Sequence, residues 1–146
     1  MTETFFIREI AGSDAIAAAR LSEELGYRIS PEEMMQRIAS LGKSPDRMVF
    51  VACLSGEVVG WIDVAVVHHL HSGTRVEIGG LVVSSGLRSR GIGRLLVERA
   101  EKWALQRGLK GMLVRSRIAR EDAHRFYLRE GYTRTKTSAV FTKELG

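Results

Sequence analysis

Apolar positions recur along the chain with two periods, and the switches between them predict a mixed α/β order. Runs of alternating or continuous apolar residues rich in β-formers predict strands at Thr4–Ile10, Met48–Leu54, Val58–Val67, Val76–Ser84, Gly111–Ser116 and Thr133–Leu145. Helical spacing predicts helices from an Asp14 cap to Gly26, from a Ser30 cap to Gly42, over Gly91–Gly108 and over Glu121–Glu130. This order predicts an α/β fold, with a mixed, mostly antiparallel central sheet flanked by helices.

Length and composition favour a single folded domain over residues 1–146. Hydrophobic residues make up 45% of the 146 positions and charged residues 27%, which argues against a disordered chain. No apolar run is long enough for a membrane span, and the first residues lack the apolar block of a secretion signal. Cys53 is the only cysteine, so an internal disulfide is excluded. We therefore expect a cytoplasmic protein.

The positive charge is concentrated in one part of the sequence. Residues 1–85 hold 7 Lys and Arg against 11 Asp and Glu, whereas residues 86–136 hold 14 against 5. A basic segment of this kind indicates a polyanionic partner, either a nucleic acid or a phosphate-bearing cofactor, or else a solvated face.

The chemistry is carried by a strand, a basic turn and a helix start between Leu81 and Leu96. Gly91 and Gly93 would let a diphosphate approach the free N–H groups at the start of the helix, which carry partial positive charge. Arg88, Arg90 and Arg94 add charge at the same place. The segment is therefore predicted to bind phosphate.

Two familiar phosphate-binding loops do not fit this segment. A Walker A loop needs Gly-Lys followed by Ser or Thr, but Arg94 follows Gly93. A dinucleotide-binding loop needs a small residue where Leu96 stands, and an acidic residue after the next strand, where the sequence reads Arg115-Ser116-Arg117.

The motif Arg88-x-x-Gly91-x-Gly93 resembles the acyl-CoA-binding motif of the GCN5-related N-acetyltransferases (GNAT). A second stretch, Ala123-His124-Arg125-Phe126-Tyr127-Leu128-Arg129-Glu130-Gly131-Tyr132, resembles the family's second signature. The resemblance covers the chain from about Met48 to Leu145, and it implies the GNAT fold, with the two early helices as a variable substrate-side lid. It also implies direct transfer of the acetyl group of acetyl-CoA to a primary amine in a ternary complex.

The resemblance assigns roles to individual residues. The fourth strand would pair with the pantetheine arm of CoA, with the Val83 N–H as the best candidate donor to the thioester carbonyl and Gly79-Gly80 as a bulge. Tyr127 would protonate the departing thiolate, and Glu77 would take the proton of the amine, directly or through water. The predicted cofactor-binding residues are Leu81, Val82, Val83, Arg88, Ser89, Arg90, Gly91, Ile92, Gly93, Arg94, Arg120 and Tyr127.

Each role has a plainer alternative. Tyr127 could pack in a core, and Glu77 could be an exposed strand residue. Arg120 stands where many family members carry Asn; it would bind a CoA phosphate or simply be exposed. His68, His69 and His71 invite a metal interpretation, but adjacent strand residues point to opposite faces, so no metal is predicted.

The preferred hypothesis is an acetyl-CoA-dependent N-acetyltransferase, with acetyl-CoA as cosubstrate and a small-molecule or protein amine as acceptor. The alternative is a non-catalytic acyl-CoA-binding sensor or scaffold. A nucleic-acid binder is disfavoured, because Trp103, Phe126 and Tyr127 occupy core-like helical positions rather than exposed ones among the arginines. No membrane partner is expected, and a homodimer is left open.

Overall fold

Five strands form one sheet in the computed structural model, which describes residues 4–146. The strands are β1 (Phe5–Glu9), β2 (Arg47–Leu54), β3 (Glu57–His69), β4 (Gly73–Val83) and β5 (Met112–Val114). The helices are α1 (Ala15–Glu23), α2 (Pro31–Leu41), α3 (Ile92–Gln106) and α4 (Glu121–Arg129). The predicted mixed α/β class and mostly antiparallel sheet are confirmed. Among the described residues, no helix is both long and apolar enough to cross a bilayer.

The strands are ordered as in the sequence, and their pairing changes direction once. Strands β1 to β4 pair antiparallel with their neighbours, whereas β5 runs parallel to β4 after the crossover through α3. The parallel pairing covers only Val76–Ile78 of β4. One side of the rest of β4, from Gly79 onward, is therefore left without a paired strand in the described chain.

The first compact unit, which ends at Val114, buries both faces of the sheet. On one face, Leu21 of α1 packs into a cluster with Val51, Val82 and Cys53, so the cysteine is a core residue as predicted. On the other face, Leu96 of α3 lies against Gly60 of β3. Successive side chains of β3 therefore point in turn toward the α1 face and the α3 face, because side chains along a strand alternate between the two faces of the sheet.

The start of α1 differs from its predicted cap. The Asp14 carboxylate makes no capping bond to α1; it accepts the Ala11 N–H at 2.8 Å and two bonds from Arg8 at 2.7 and 2.8 Å. The Arg8 hydrogen bond lowers the pKa of Asp14 despite its burial. Asp14 therefore ties β1 to the turn before the helix. Ser30, by contrast, caps α2 as predicted, accepting the Glu33 N–H at 3.1 Å.

The second compact unit, Arg115–Gly146, contains α4 and an irregular segment after it. The strand predicted over Thr133–Leu145 is wrong, since the structure forms neither helix nor strand there. β-Forming residues make a strand only where a neighbouring strand accepts their backbone hydrogen bonds, and no described strand pairs with this segment. Its apolar side chains are exposed, with Phe141 at 91%.

Candidate active site

The predicted bulge in β4 is confirmed and falls at Gly79. Asp63 of β3 lies opposite Gly80, and the next residue, Val64, lies opposite Ile78, so Gly79 is the extra residue on β4. A bulge of this kind breaks the regular ladder and re-aims backbone groups. It therefore separates the part of β4 that pairs with β5 from the part that does not.

Trp61 explains why the residue after the bulge, Gly80, is glycine. A Cβ atom on Gly80 would lie 2.9 Å from a ring carbon of Trp61, closer than carbon atoms pack. A Cβ atom on Gly79 would meet a carboxylate oxygen of Asp63 at 3.4 Å, which is ordinary contact. Sequence reasoning did not single out Trp61, because its contact with Gly80 depends on strand register rather than on any local motif.

Beyond the bulge, β4 pairs with β3 on one backbone side and with no strand of residues 4–146 on the other. The Ser84 N–H donates to Val59 of β3 at 2.8 Å, and backbone groups alternate sides along an antiparallel strand. The backbone N–H and C=O of Val82 therefore point toward β3, whereas those of Leu81 and Val83 point toward the unpaired side. Leu81 and Val83 thus present the backbone groups that pairing with a pantetheine arm requires, while the Val82 side chain is buried in the core.

The predicted phosphate loop leads into an open helix start. Gly91 precedes α3 with a left-handed φ of 83°, and no side chain caps the helix there. The first backbone N–H groups, of Ile92 and Gly93, therefore have no intrahelical acceptor. The Ile92 side chain is buried at 1% exposure, which fixes the helix start and leaves only its backbone for a ligand. Ser89 also has a positive φ, of 67°.

Carboxylates lie beside Arg88 and Arg94. Arg88 Nη2 is 3.9 Å from Glu24 Oε1, and Arg94 Nε donates to Glu98 Oε1 at 3.0 Å. Arg88, Arg90 and Arg94 are all exposed. The loop is therefore basic, with its charge partly balanced by neighbouring acids.

Glu77 lies on the face of the sheet against which α1 packs, at a position of β4 before the one that contacts α1. It pairs with Ala65 of β3, and paired residues of an antiparallel ladder share a face, so it shares this face with Asp63. Burial raises the pKa of Asp63, and the nearby Arg47 guanidinium, 3.2 Å away, opposes the shift. Sequence reasoning missed Asp63, because an isolated acid in an apolar strand carries no recognisable motif.

Tyr127 lies on α4 in the second unit. Its ring makes edge contacts with Phe126 and Tyr132, at centroid distances of 5.1 and 5.7 Å. Burial raises the pKa of Tyr127 to about 12, and the positive charge of Arg120 opposes the shift. Arg120 is exposed at the start of α4. Tyr127 is thus a protonated, partly buried phenol at neutral pH.

The histidines make local contacts. His68 Nδ1 lies 3.0 Å from Thr74 Oγ1, and the rings of His69 and His71 are 5.6 Å apart. Among residues 4–146, no group of three or more His, Cys, Asp or Glu side chains is arranged to hold a metal ion.

The sequence of this chain matches a protein family and several known proteins. The family model described as Acetyltransferase (GNAT) family matches residues 15–132. An aminoalkylphosphonate N-acetyltransferase of Salmonella typhimurium is 43% identical over 132 residues, which is 90% of this chain and 82% of that protein. An aminoglycoside N(6')-acetyltransferase type 1 of Stenotrophomonas maltophilia is 26% identical, over 95% of this chain and 93% of its own length.

Solved structures share the fold. The aminoglycoside N-acetyltransferase AAC(6')-Iy, in complex with CoA, superposes with a TM-score of 0.89 at 16% identity, covering 99% of this chain and 98% of that one. The chain therefore belongs to the GNAT family of acetyltransferases. Within that family it is an acetyl-CoA-dependent N-acetyltransferase, with acetyl-CoA as its cosubstrate.

Proposed function

We propose that the chain binds acetyl-CoA along the open side of β4 and at the start of α3, and transfers the acetyl group directly to an amine. One observation carries this proposal. The unpaired backbone of Leu81 and Val83 continues within a few residues into the basic turn and the uncapped start of α3. A pantetheine arm needs the first feature and a diphosphate needs the second.

In this proposal the two ends of the cofactor are held differently. The backbone N–H groups of Ile92 and Gly93 bind the diphosphate, and Arg88, Ser89, Arg90, Gly91 and Arg94 surround it with charge and backbone donors. Leu81 and Val83 pair with the amide groups of the arm. The Val83 N–H donates to the thioester carbonyl and stabilises the oxyanion that forms there.

The proposed reaction starts from the ammonium form of the acceptor. Glu77 takes a proton from it, directly or through water, and the resulting free amine attacks the thioester carbon. A C–N bond forms, and the C–S bond breaks as the tetrahedral intermediate collapses. The attacking nitrogen gives its second proton to solvent, and Tyr127 gives a proton to the departing thiolate. Arg120 is assigned to a phosphate of CoA.

For the acceptor, we propose a small primary amine of the aminoalkylphosphonate class. The support is the 43% identity to the aminoalkylphosphonate N-acetyltransferase over most of both chains. An aminoglycoside is the second candidate, supported by the match at 26% identity over nearly full length.

Ligand addition tests the cosubstrate and the acceptor. At about a hundred times its Kd, acetyl-CoA is expected to raise Tm by about 5–10 °C, because a ligand that binds only the folded state stabilises it. CoA release, followed with a thiol reagent, should then appear with an aminoalkylphosphonate and exceed that with an aminoglycoside or a polyamine. No shift at millimolar acetyl-CoA would contradict the proposal, and binding without release on any amine would favour the sensor alternative.

Glu77→Gln tests the proposed base. We expect kcat/KM for the amine to fall about a hundredfold at neutral pH, since a positioned base contributes at about that level. The deficit should shrink as the pH rises toward the pKa of the amine, because more acceptor is then already deprotonated. Glu9→Gln, at an exposed position of β1, is the matched control. A deficit that does not change with pH would exclude Glu77 as the base.

We further propose that residues 1–146 act as one GNAT domain in the cytoplasm. The GNAT match covers most of the first compact unit and extends into the second as far as residue 132, which supports a single functional domain. Neither nucleic acid nor membrane is proposed as a partner, because a polyanionic cofactor accounts for the basic segment. A homodimer is compatible with the proposal, and sedimentation of the purified chain would determine the oligomeric state.

A further inference from the structure

A cleft of about 470 Å³ lies between the end of α1, the start of β3 and the turn that follows β4. Its polar lining includes three carboxylates, from Glu23, Glu24 and Glu57. Ser84 and Leu87 of the turn form the opposite wall. Arg20 also lines the cleft, which lies next to the loop to which we assign the diphosphate.

Glu24 is the carboxylate that reaches across to the turn. Its Oε1 accepts the Ser85 backbone N–H at 2.9 Å and lies 3.9 Å from Arg88 Nη2. The Glu24 side chain is 27% exposed, whereas that of Arg88 is 54% exposed. One oxygen atom thus contacts both the backbone at the start of the turn and the first arginine of the loop.

Backbone hydrogen bonds and a left-handed residue shape the turn that follows β4. Ser84 is fixed by its bond to Val59, and Leu87 bonds back to Ser84 within the turn. Ser89 has a left-handed φ, a backbone conformation that is costly for a residue with a side chain. The side chain of Glu24 connects this strained segment to α1, which is packed into the core through Leu21.

We propose that Glu24 is a positioning residue for the diphosphate loop, holding Ser85 and Arg88 in place through its carboxylate. This inference rests on the proposed diphosphate site. Glu24 acts through the loop and touches neither the acetyl group nor the amine. Its loss should therefore weaken the use of donors that carry the diphosphate and leave other donors unaffected.

The test compares two donors on the full chain. Acetyl-CoA carries the diphosphate, and S-acetylpantetheine offers the same thioester and arm without it. Glu24→Ala is expected to raise the KM for acetyl-CoA about fivefold to tenfold, since it removes a hydrogen bond to a charged group. The kcat, and the kcat/KM for S-acetylpantetheine, should stay within about twofold of the unmodified chain, a range that corresponds to a small free-energy change.

Three further variants distinguish loss of the hydrogen bond between Glu24 and Ser85 from general disruption of the structure around the cleft. Glu24→Gln keeps an oxygen acceptor for the Ser85 N–H and should restore most of the KM for acetyl-CoA. Ser85→Pro removes that N–H without changing Glu24, and the extended Ser84, at ψ 132°, accommodates a following proline. It should raise the KM as Glu24→Ala does. Glu57→Ala, which removes a carboxylate from the same cleft, should leave the KM unchanged.

The outcomes distinguish this inference from the proposed function. If the unmodified chain uses both donors equally well, the diphosphate site itself is wrong. If it prefers acetyl-CoA but Glu24→Ala keeps that preference, the positioning role is overturned and the proposed function stands. A Gln variant as impaired as the Ala variant, or equal losses on both donors, would also overturn the role.

Discussion

Tyr127→Phe is expected to lower kcat by about a hundredfold or more, because a positioned general acid that protonates the departing thiolate contributes at about that level. The KM for acetyl-CoA should change little, since the phenyl ring keeps the contacts with Phe126 and Tyr132. Steady-state kinetics with saturating amine measures both quantities. Tyr132→Phe removes a hydroxyl from a ring that contacts Tyr127, and it should leave kcat within about threefold of the unmodified chain, a difference of less than 1 kcal/mol.

The pKa of Tyr127 adds a pH test to this prediction. Because burial raises that pKa to about 12, the phenol keeps its proton throughout the usual assay range. No decline of kcat between pH 8 and pH 10 should therefore come from Tyr127. Above pH 10.0 the tyrosine of the unfolded chain ionises, whereas the folded chain keeps the Tyr127 phenol neutral up to about pH 12. The contribution of this neutral phenol to the free energy of unfolding is therefore complete below pH 10 and is lost as the pH rises toward 12. An unchanged kcat in Tyr127→Phe would remove Tyr127 from the mechanism.

Gly80→Ala is expected to damage both stability and activity. The new methyl group would lie 2.9 Å from Trp61 Cζ3, so either the indole ring or the bulge must move. We expect the free energy of unfolding to fall by about 1–3 kcal/mol, as for other overpacked sites. The kcat should fall as well, because the backbone groups beyond the bulge are re-aimed. Denaturant titration and steady-state kinetics measure the two effects.

Gly86→Ala and a double variant provide the controls for this prediction. A Cβ atom on Gly86 meets nothing within 4 Å, so that substitution should be tolerated in both assays. Combining Gly80→Ala with Trp61→Leu removes the ring atoms that clash, and the double variant should recover kcat relative to Gly80→Ala alone. Additive losses in the double variant would show that the Trp61 contact is not the reason for glycine at position 80.

Features with a local chemical cause could be predicted from the sequence. The cap at Ser30, the bulge glycines and the loop before α3 each depend on residues within a few positions of one another. The apolar periods located the helices and the sheet for the same reason, since periodicity is a local property of the chain. These features are enough to place the candidate cofactor site.

Features that depend on distant pairs could not be predicted. The bond from Ser85 to Glu24 joins residues 61 positions apart, and the contact between Trp61 and Gly80 depends on strand register. Asp14 was predicted as a cap but bonds to Arg8, because a guanidinium on β1 competes for its carboxylate. The strand predicted at Thr133–Leu145 fails for the same kind of reason, as pairing requires a partner that local composition does not reveal.

The short pairing of β5 with β4 has a consequence for selectivity. If the cofactor arm completes the ladder along Leu81 and Val83, each turnover exchanges hydrogen bonds to water for hydrogen bonds to the ligand and back again. Such exchanges contribute only about 0.5–1.5 kcal/mol each, so this part of the site holds its ligand weakly. Recognition of the donor is then concentrated at the charged end of the molecule. The acyl end is left free to leave with the acceptor without a large penalty for breaking the complex.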